Sequence, residues 1–181
     1  VIIDNKTHKV VALVGGRGLG GGSLANRATI PRQPGSAIKP IGPYLTAFNH
    51  GATAGDVYLD SNLKYVNLPY IQYKPSNVGS YIGWTTIRKL LVRSSNVGAY
   101  LVSRDINTDF KDRKNRYSTY SQNVNNEANL NSIIDTLEEL GVTSVDKEND
   151  LNYAALSLGG MTRGISPLEM AGAFTVFPSE G

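Results

Sequence analysis

The segment Pro34-Gly35-Ser36-Ala37-Ile38-Lys39 places a hydroxyl and an amine three residues apart, where the sequence turns to helical spacing. On a helix that spacing brings both side chains to one face. A serine hydroxyl becomes an effective nucleophile when a base takes its proton, and a lysine amine can serve once desolvation or nearby cations lower its pKa. A helix start adds unpartnered backbone N–H groups for a developing oxyanion. Taken alone, the same residues also describe a serine helix cap followed by a surface lysine. Farther along, Ser94-Ser95-Asn96 separates two helical patterns. A turn there can aim Ser94 and Asn96 into one cleft, the hydroxyl to relay a proton and the amide to grip a substrate carbonyl or N–H. An isolated S-x-N is also an ordinary helix N-cap.

Several other chemistries are excluded. The 181 residues contain no cysteine, so a thiol nucleophile, a disulfide framework and the common zinc patterns are absent. The two histidines, His8 and His50, are far apart, so no metal site is expected, and a Ser-His-Asp triad would have to recruit one of them. No cofactor is expected either. Gly16, Gly18 and Gly21 spell G-x-G-x-x-G, but no helical pattern follows and no acidic residue occurs between Asp4 and Asp56 to hold a ribose. The net charge of +3 is scattered, and its densest cluster, Lys111, Arg113, Lys114 and Arg116, reads as solvated loop, so no nucleic-acid partner is expected. No apolar run approaches the roughly 20 residues of a membrane span, and no signal peptide or anchor is read in this chain.

The elements that must position these residues read as an α/β (α+β) chain. Val1–Ile3 and Lys9–Val14 are strand runs joined by the turn residues Asp4-Asn5-Lys6-Thr7, which predicts an opening antiparallel hairpin. Helical spacing over 36–50 puts Ile38, Ile41, Leu45 and Phe48 on one stripe, with Pro40 and Pro43 near its start and Gly51 at its end. Residues 52–83 read as irregular surface structure with short strands. Thr85–Arg93 and Val97–Ser103 predict helices flanking the Ser94–Asn96 turn. A polar stretch at 107–129 reads as an exposed insertion, Leu130–Leu140 as a helix capped by Gly141, and Pro167–Phe177 as a last apolar helix. With no repeat or linker, one domain over 1–181 is expected: an antiparallel sheet against a helical layer, with the site between the layers.

In order and spacing, the two motifs resemble the serine penicillin-recognising enzymes, whose signature set is S-x-x-K, S-x-N and K-T-G. The blocks RQPGSAIKP, TTIRKLLVRSSNVGAY and LSLGGMTRGISPLEMAGAFTVFPSEG, and the glycine-rich opening with NRAT, resemble transpeptidase domains of class A penicillin-binding proteins. The resemblance implies a D,D-transpeptidase that cross-links peptidoglycan stem peptides ending in D-Ala-D-Ala and is acylated by β-lactams. It implies Ser36 as nucleophile, Lys39 as base, Ser94 as proton relay and Asn96 as a ligand of the acyl chain, with Ser95, Trp84, Gly160 and Thr162 as substrate-binding candidates. It also implies an extracytoplasmic place at the outer face of the bacterial cell membrane, with the anchor outside this chain.

The chain departs from the pattern in two ways. No K-T-G occurs in it, so a C-terminal remainder carrying that motif and further strands is expected to complete the domain. With a two-stranded sheet alone, Ile38, Leu45, Leu91 and Phe174 are expected to be left uncovered. Glu148-Asn149-Asp150-Leu151-Asn152 spells E-x-x-L-N, the pattern of class A β-lactamases, so a hydrolase is one alternative and a β-lactam or peptidoglycan sensor without turnover is another. Against the hydrolase, Ser95 stands where those β-lactamases usually carry Asp, and Glu148 lies in a polar run. Trp84 and the tyrosines at 65, 70, 73 and 81 could line a groove, with packing as the preferred reading.

Overall fold

The computed structural model describes residues 1–17, 25–65, 71, 73–108, 110 and 125–179. Gly18 and Gly21, Tyr70, the basic cluster at 111–116 and most of the 107–129 stretch lie outside the described residues. The architecture is α+β, with two separate two-stranded antiparallel sheets and a cluster of helices.

The opening hairpin forms as the sequence predicts. β1 (Ile2–Ile3) pairs with β2 (Val10–Ala12), and Asp4 closes the turn by accepting from Lys6 N and Thr7 N at 2.8 and 3.0 Å. The second sheet joins β3 (Val57–Asp60) to β4 (Gly83–Thr86), Asp60 facing Gly83. Thr85 and Thr86 therefore belong to a strand rather than to the following helix, and Thr86 caps α2 (Ile87–Val92) by accepting from Lys89 N.

Residues 35–49 form one helical run with three geometries: a 3-10 turn at Gly35–Ile38, a π turn at Pro40–Tyr44 and α1 at Leu45–Asn49. The two prolines set this sequence of turns. Pro40 has no N–H for the Ser36 carbonyl, which accepts from Lys39 N instead. Pro43 has none for the Lys39 carbonyl, which accepts from Tyr44 N, one residue later than in an α-helix. The single stripe read from the sequence is corrected. Ile38, Ile41, Tyr44 and Ala47 are all fully buried, whereas Leu45 is half-buried and Phe48 exposed, because neighbours enclose this run on most sides.

α3 (Asn96–Arg104) is the centre of the cluster, packing against the π turn, α2, β3, α4 (Asn126–Glu139) and α5 (Tyr153–Leu158). α4 begins before the polar stretch was expected to end, and Asn129 is buried, donating to Arg104 O and accepting from Asn107 N. Gly141, at φ +81°, follows α4 as expected. α6 (Pro167–Ala173) opens with a Ser166/Glu169 capping box and runs into a 3-10 turn at Phe174–Val176. Ile38 is covered rather than exposed, and Leu91 and Phe174 pack against the core. The hairpin presents a run of open apolar side chains, Ile2, Val11 and Val14 being 61, 61 and 76% exposed, while Tyr65, Val78 and Val92 are exposed elsewhere.

Candidate active site

Lys39 stands at the join between the 3-10 and π turns, and that backbone carries its side chain into the protein, where it is only 1% exposed. Its Nζ donates to Ser94 O at 2.7 Å, Asn96 Oδ1 at 2.7 Å and Ser94 Oγ at 3.2 Å. All three acceptors are neutral, and no carboxylate pairs with Lys39 among the described residues. A buried lysine without a counter-ion favours the neutral amine, and burial lowers its pKa to about 8.

The Ser94 turn is shaped to meet it. Ser94 adopts φ +50°, a left-handed conformation uncommon outside glycine, which directs both its carbonyl and its hydroxyl at Lys39. Ser94 N closes the end of α2 on Leu91 O, while Ser95 starts α3 by accepting from Gly98 N at 2.8 Å. The Asn96 amide is held at both ends, its Oδ1 by Lys39 and its Nδ2 by Ser76 O at 2.8 Å.

Ser36, Ser94 and Asn96 line one cleft of about 180 Å³, with Asn77, Val78, Gly79, Ser80 and Arg93 on its other walls. Ser36 is exposed, and neither its hydroxyl nor its backbone N–H has a hydrogen-bond partner among the described residues. A free hydroxyl and a free N–H on one residue match the needs of a nucleophile and an oxyanion donor. Gly159, at φ +77°, backs this residue: a Cβ there would collide with Gly35 backbone atoms, and Gly35 N donates to Gly159 O. The segment continues along the loop that leads into Ser36 through the Arg32–Ile165 bridge and a Gln33 Nε2 bond to Met161 O.

The four residues expected to carry chemistry thus sit together, whereas the other candidates have different surroundings. Ser95 touches the cleft but is buried, and its hydroxyl points inward to Asp60 Oδ1 at 2.9 Å. Trp84 is half exposed on β4 and does not line the cleft. Gly160 and Thr162 belong to the segment behind Ser36, and Thr162 N donates to Asp150 Oδ1 at 2.7 Å. Tyr73 and Tyr81 pack against the core, as preferred, and Tyr65 is exposed. Glu148 is exposed in a turn and reaches neither Ser36 nor the cleft walls, while Asp150 of the same pentapeptide is buried and fixes the turn by accepting from Asp146 N.

Sequence reasoning missed Asp60 and Asn77. Asp60, 1% exposed, accepts from Asn77 Nδ2, Ser95 Oγ and Ile82 N, and Asn77 Oδ1 accepts from Asn96 N at 2.8 Å and Val97 N at 3.2 Å. Burial, helped by the charge of Asp60, pushes the Tyr44 phenol above its usual range. Neither residue lies in a short motif; the available signals were an acid ending a strand and an asparagine after Pro75.

The family model of the penicillin binding protein transpeptidase domain matches residues 1–181. Penicillin-binding protein 1F of Bacillus subtilis (strain 168) is 31% identical over 189 residues, covering 100% of this chain and 21% of the relative. Penicillin-binding protein 1A of Clostridium botulinum (strain Langeland) is 31% identical over 190 residues, covering 100% and 20%. The crystal structure of penicillin-binding protein 1A from Haemophilus influenzae superposes with a TM-score of 0.60 at 26% identity, covering 86% of this chain and 19% of that one. The chain spans about a fifth of the length of the curated relatives it matches. With the S-x-x-K lysine seated on the S-x-N turn and the family model matched from end to end, this chain belongs to the penicillin-binding protein transpeptidase domain family.

Proposed function

We propose that the chain carries the acyl-enzyme centre of a serine D,D-transpeptidase that cross-links peptidoglycan stem peptides. The observation that carries this reading is the contact of buried Lys39 with Ser94 and Asn96 at the wall of a cleft that also holds Ser36. Ser36 Oγ attacks the carbonyl of the penultimate D-Ala, and Lys39, as the neutral amine, takes the hydroxyl proton. The Ser36 N–H faces the developing oxyanion. The peptide C–N bond breaks as Ser94 passes a proton to the leaving amine, so terminal D-Ala departs and an ester to Ser36 remains. Asn96 holds the acyl chain until an amine of a neighbouring strand attacks the ester, forming the cross-link and returning the proton to the site. A β-lactam is attacked at its ring carbonyl by the same route, and its opened ring stays on Ser36.

We place this chemistry on the outer face of the bacterial cell membrane; among the described residues no helix is long and apolar enough to cross it. The exposed apolar hairpin reads as one edge of a larger sheet, and a strand bearing K-T-G is the partner proposed to cover it, since a two-stranded hairpin is marginal in water. The sensor reading predicts one acylation and no transfer, and the lactamase reading predicts hydrolysis assisted by Glu148, whose side chain is exposed and not among the residues that line the cleft. The test is to incubate the native protein with a donor peptide ending in D-Ala-D-Ala and an acceptor amine. Released D-Ala in step with cross-linked product supports the proposal; free D-Ala with only hydrolysed donor contradicts it.

A further inference from the structure

We infer that Asp60 is a positioning residue for the acyl transfer proposed above, fixing the Ser94–Asn96 turn against Lys39 through Asn77 and Ser95. The inference rests on that reading of the site. Asp60 ends β3 in a buried position, and no lysine or arginine forms an ion pair with it among the described residues. Each of its neighbours donates: Asn77 Nδ2 at 2.8 Å and Ser95 Oγ at 2.9 Å to Oδ1, and Ile82 N at 3.1 Å to Oδ2. Only a side chain that accepts at both oxygens satisfies all three.

Asn77 passes the constraint on. With Nδ2 given to Asp60, its Oδ1 faces Asn96 N at 2.8 Å, Val97 N at 3.2 Å and Ser95 Oγ at 3.2 Å. Two backbone N–H groups require an acceptor there, which fixes the orientation of the amide. Ser95 and Asn96 are thereby held from below, and the Asn96 Oδ1 and the left-handed Ser94 meet Lys39 on the other side. A buried carboxylate without a counter-ion is poor at stabilising a fold compared with an apolar side chain of its size, so its value lies in geometry. The chain from Asp60 to Lys39 is three hydrogen bonds long: Asp60 to Asn77, Asn77 to Asn96 N, and Asn96 Oδ1 to Lys39 Nζ.

The test measures the acylation rate of the native protein with a fluorescent penicillin, alongside its thermal midpoint, in Asp60→Asn and in the exchange Asp60→Asn/Asn77→Asp. In the single variant the amide oxygen can keep the Asn77 and Ser95 bonds only by setting its NH2 group against the Ile82 N–H donor, and the opposite orientation sets NH2 against Asn77 Nδ2. The resulting shift of the turn is expected to slow acylation about 10²-fold, the scale of a 1 Å misplacement. In the exchange, the amide at 60 donates to a carboxylate at 77, which still accepts from Asn96 N and Val97 N, and the rate is expected to return to within about threefold of wild type, because residues in one hydrogen-bond network couple and their separate costs do not add. A single variant that acylates at the wild-type rate overturns the proposal. So does an exchange variant that regains the thermal midpoint but stays slow, because the pair would then serve stability alone. If the single variant does not fold, the exchange variant decides by the same criterion. A wild-type protein giving no Ser36-dependent adduct marks failure of the functional reading itself, and the positioning role falls with it.

Discussion

Lys39 Nζ lies 2.7 Å from the carbonyl oxygen of Ser94 and 3.2 Å from its hydroxyl, so the proposed base and the proposed relay touch before any substrate is present. As an ammonium, Lys39 spends its three N–H donors on Ser94 O, Ser94 Oγ and Asn96 Oδ1. Loss of one proton leaves a lone pair that Ser94 Oγ, the one acceptor of the three able to donate in turn, can satisfy while the other two bonds persist.

Burial holds Lys39 at about 8, so its neutral form grows as pH rises through that value. The acylation rate should climb with a midpoint of about 8 and level off above it. In the same window the unfolded chain, whose lysine keeps its ordinary value of 10.5, binds more protons than the folded one, so the Lys39 contribution to stability rises from pH 8 towards 10.5. Lys39→Ala should slow acylation about 10²–10⁴-fold, the range for a lost general base. Stopped-flow acylation across pH checks both, and a flat wild-type profile removes Lys39 as the base.

Gly159 and Gly141 both have positive φ, +77° and +81°, but only Gly159 has backbone against it. Gly141→Ala should cost about 1–2 kcal/mol, the conformational term alone. Gly159→Ala should cost about 2–4 kcal/mol, because Gly35 must also move, and it should slow acylation by displacing Ser36. Urea unfolding and acylation rates measured together check this; equal costs for the two substitutions would show that the close approach to Gly35 is unimportant.

Some turns and helix ends were legible in the sequence because their causes are local. Asp4 closes a hairpin with its own neighbours, Gly141 follows the end of α4, and Ser36 and Lys39 are one helical turn apart, whereas the caps formed by Thr86 and Ser166 were not read, Thr86 having been expected inside the helix it precedes. What else was missed depends on partners distant in sequence. Asp60 reaches Ser95 across 35 residues, and no spacing rule connects a strand end to a helix cap. The stripe over 36–50 failed for another reason: the two prolines force 3-10 and π turns, and a helix enclosed on most sides has no single buried face.

Glu169 shows a long-range carboxylate whose role is structural. Burial alone would raise its pKa, but N–H and hydroxyl donors from Ser166 and Thr143 outweigh it and hold it at about 2. Because the folded value is depressed from 4.5, its contribution is complete above about 4.5 and is lost as pH falls towards 2. Glu169→Gln should cost about 1–2 kcal/mol at neutral pH through the capping box and flatten the loss of stability below pH 4.5. Thermal midpoints from pH 7 to 2 check the prediction; an unchanged acid limb would contradict it.

Glu148 is exposed and lies outside the cleft that holds Ser36. Glu148→Gln should leave the lifetime of the penicilloyl adduct within about twofold of wild type, as expected of a surface residue. A wild-type adduct that turns over rapidly and persists in the variant would establish hydrolysis by Glu148.

The most direct measurement is peptide mapping of the native protein after reaction with a labelled penicillin, in wild type and in Ser36→Ala. The account predicts a single covalent adduct on the peptide containing Ser36, of the mass of the intact opened ring, and no adduct in the variant. Label on Ser94 or another residue, or labelling that survives Ser36→Ala, would contradict it.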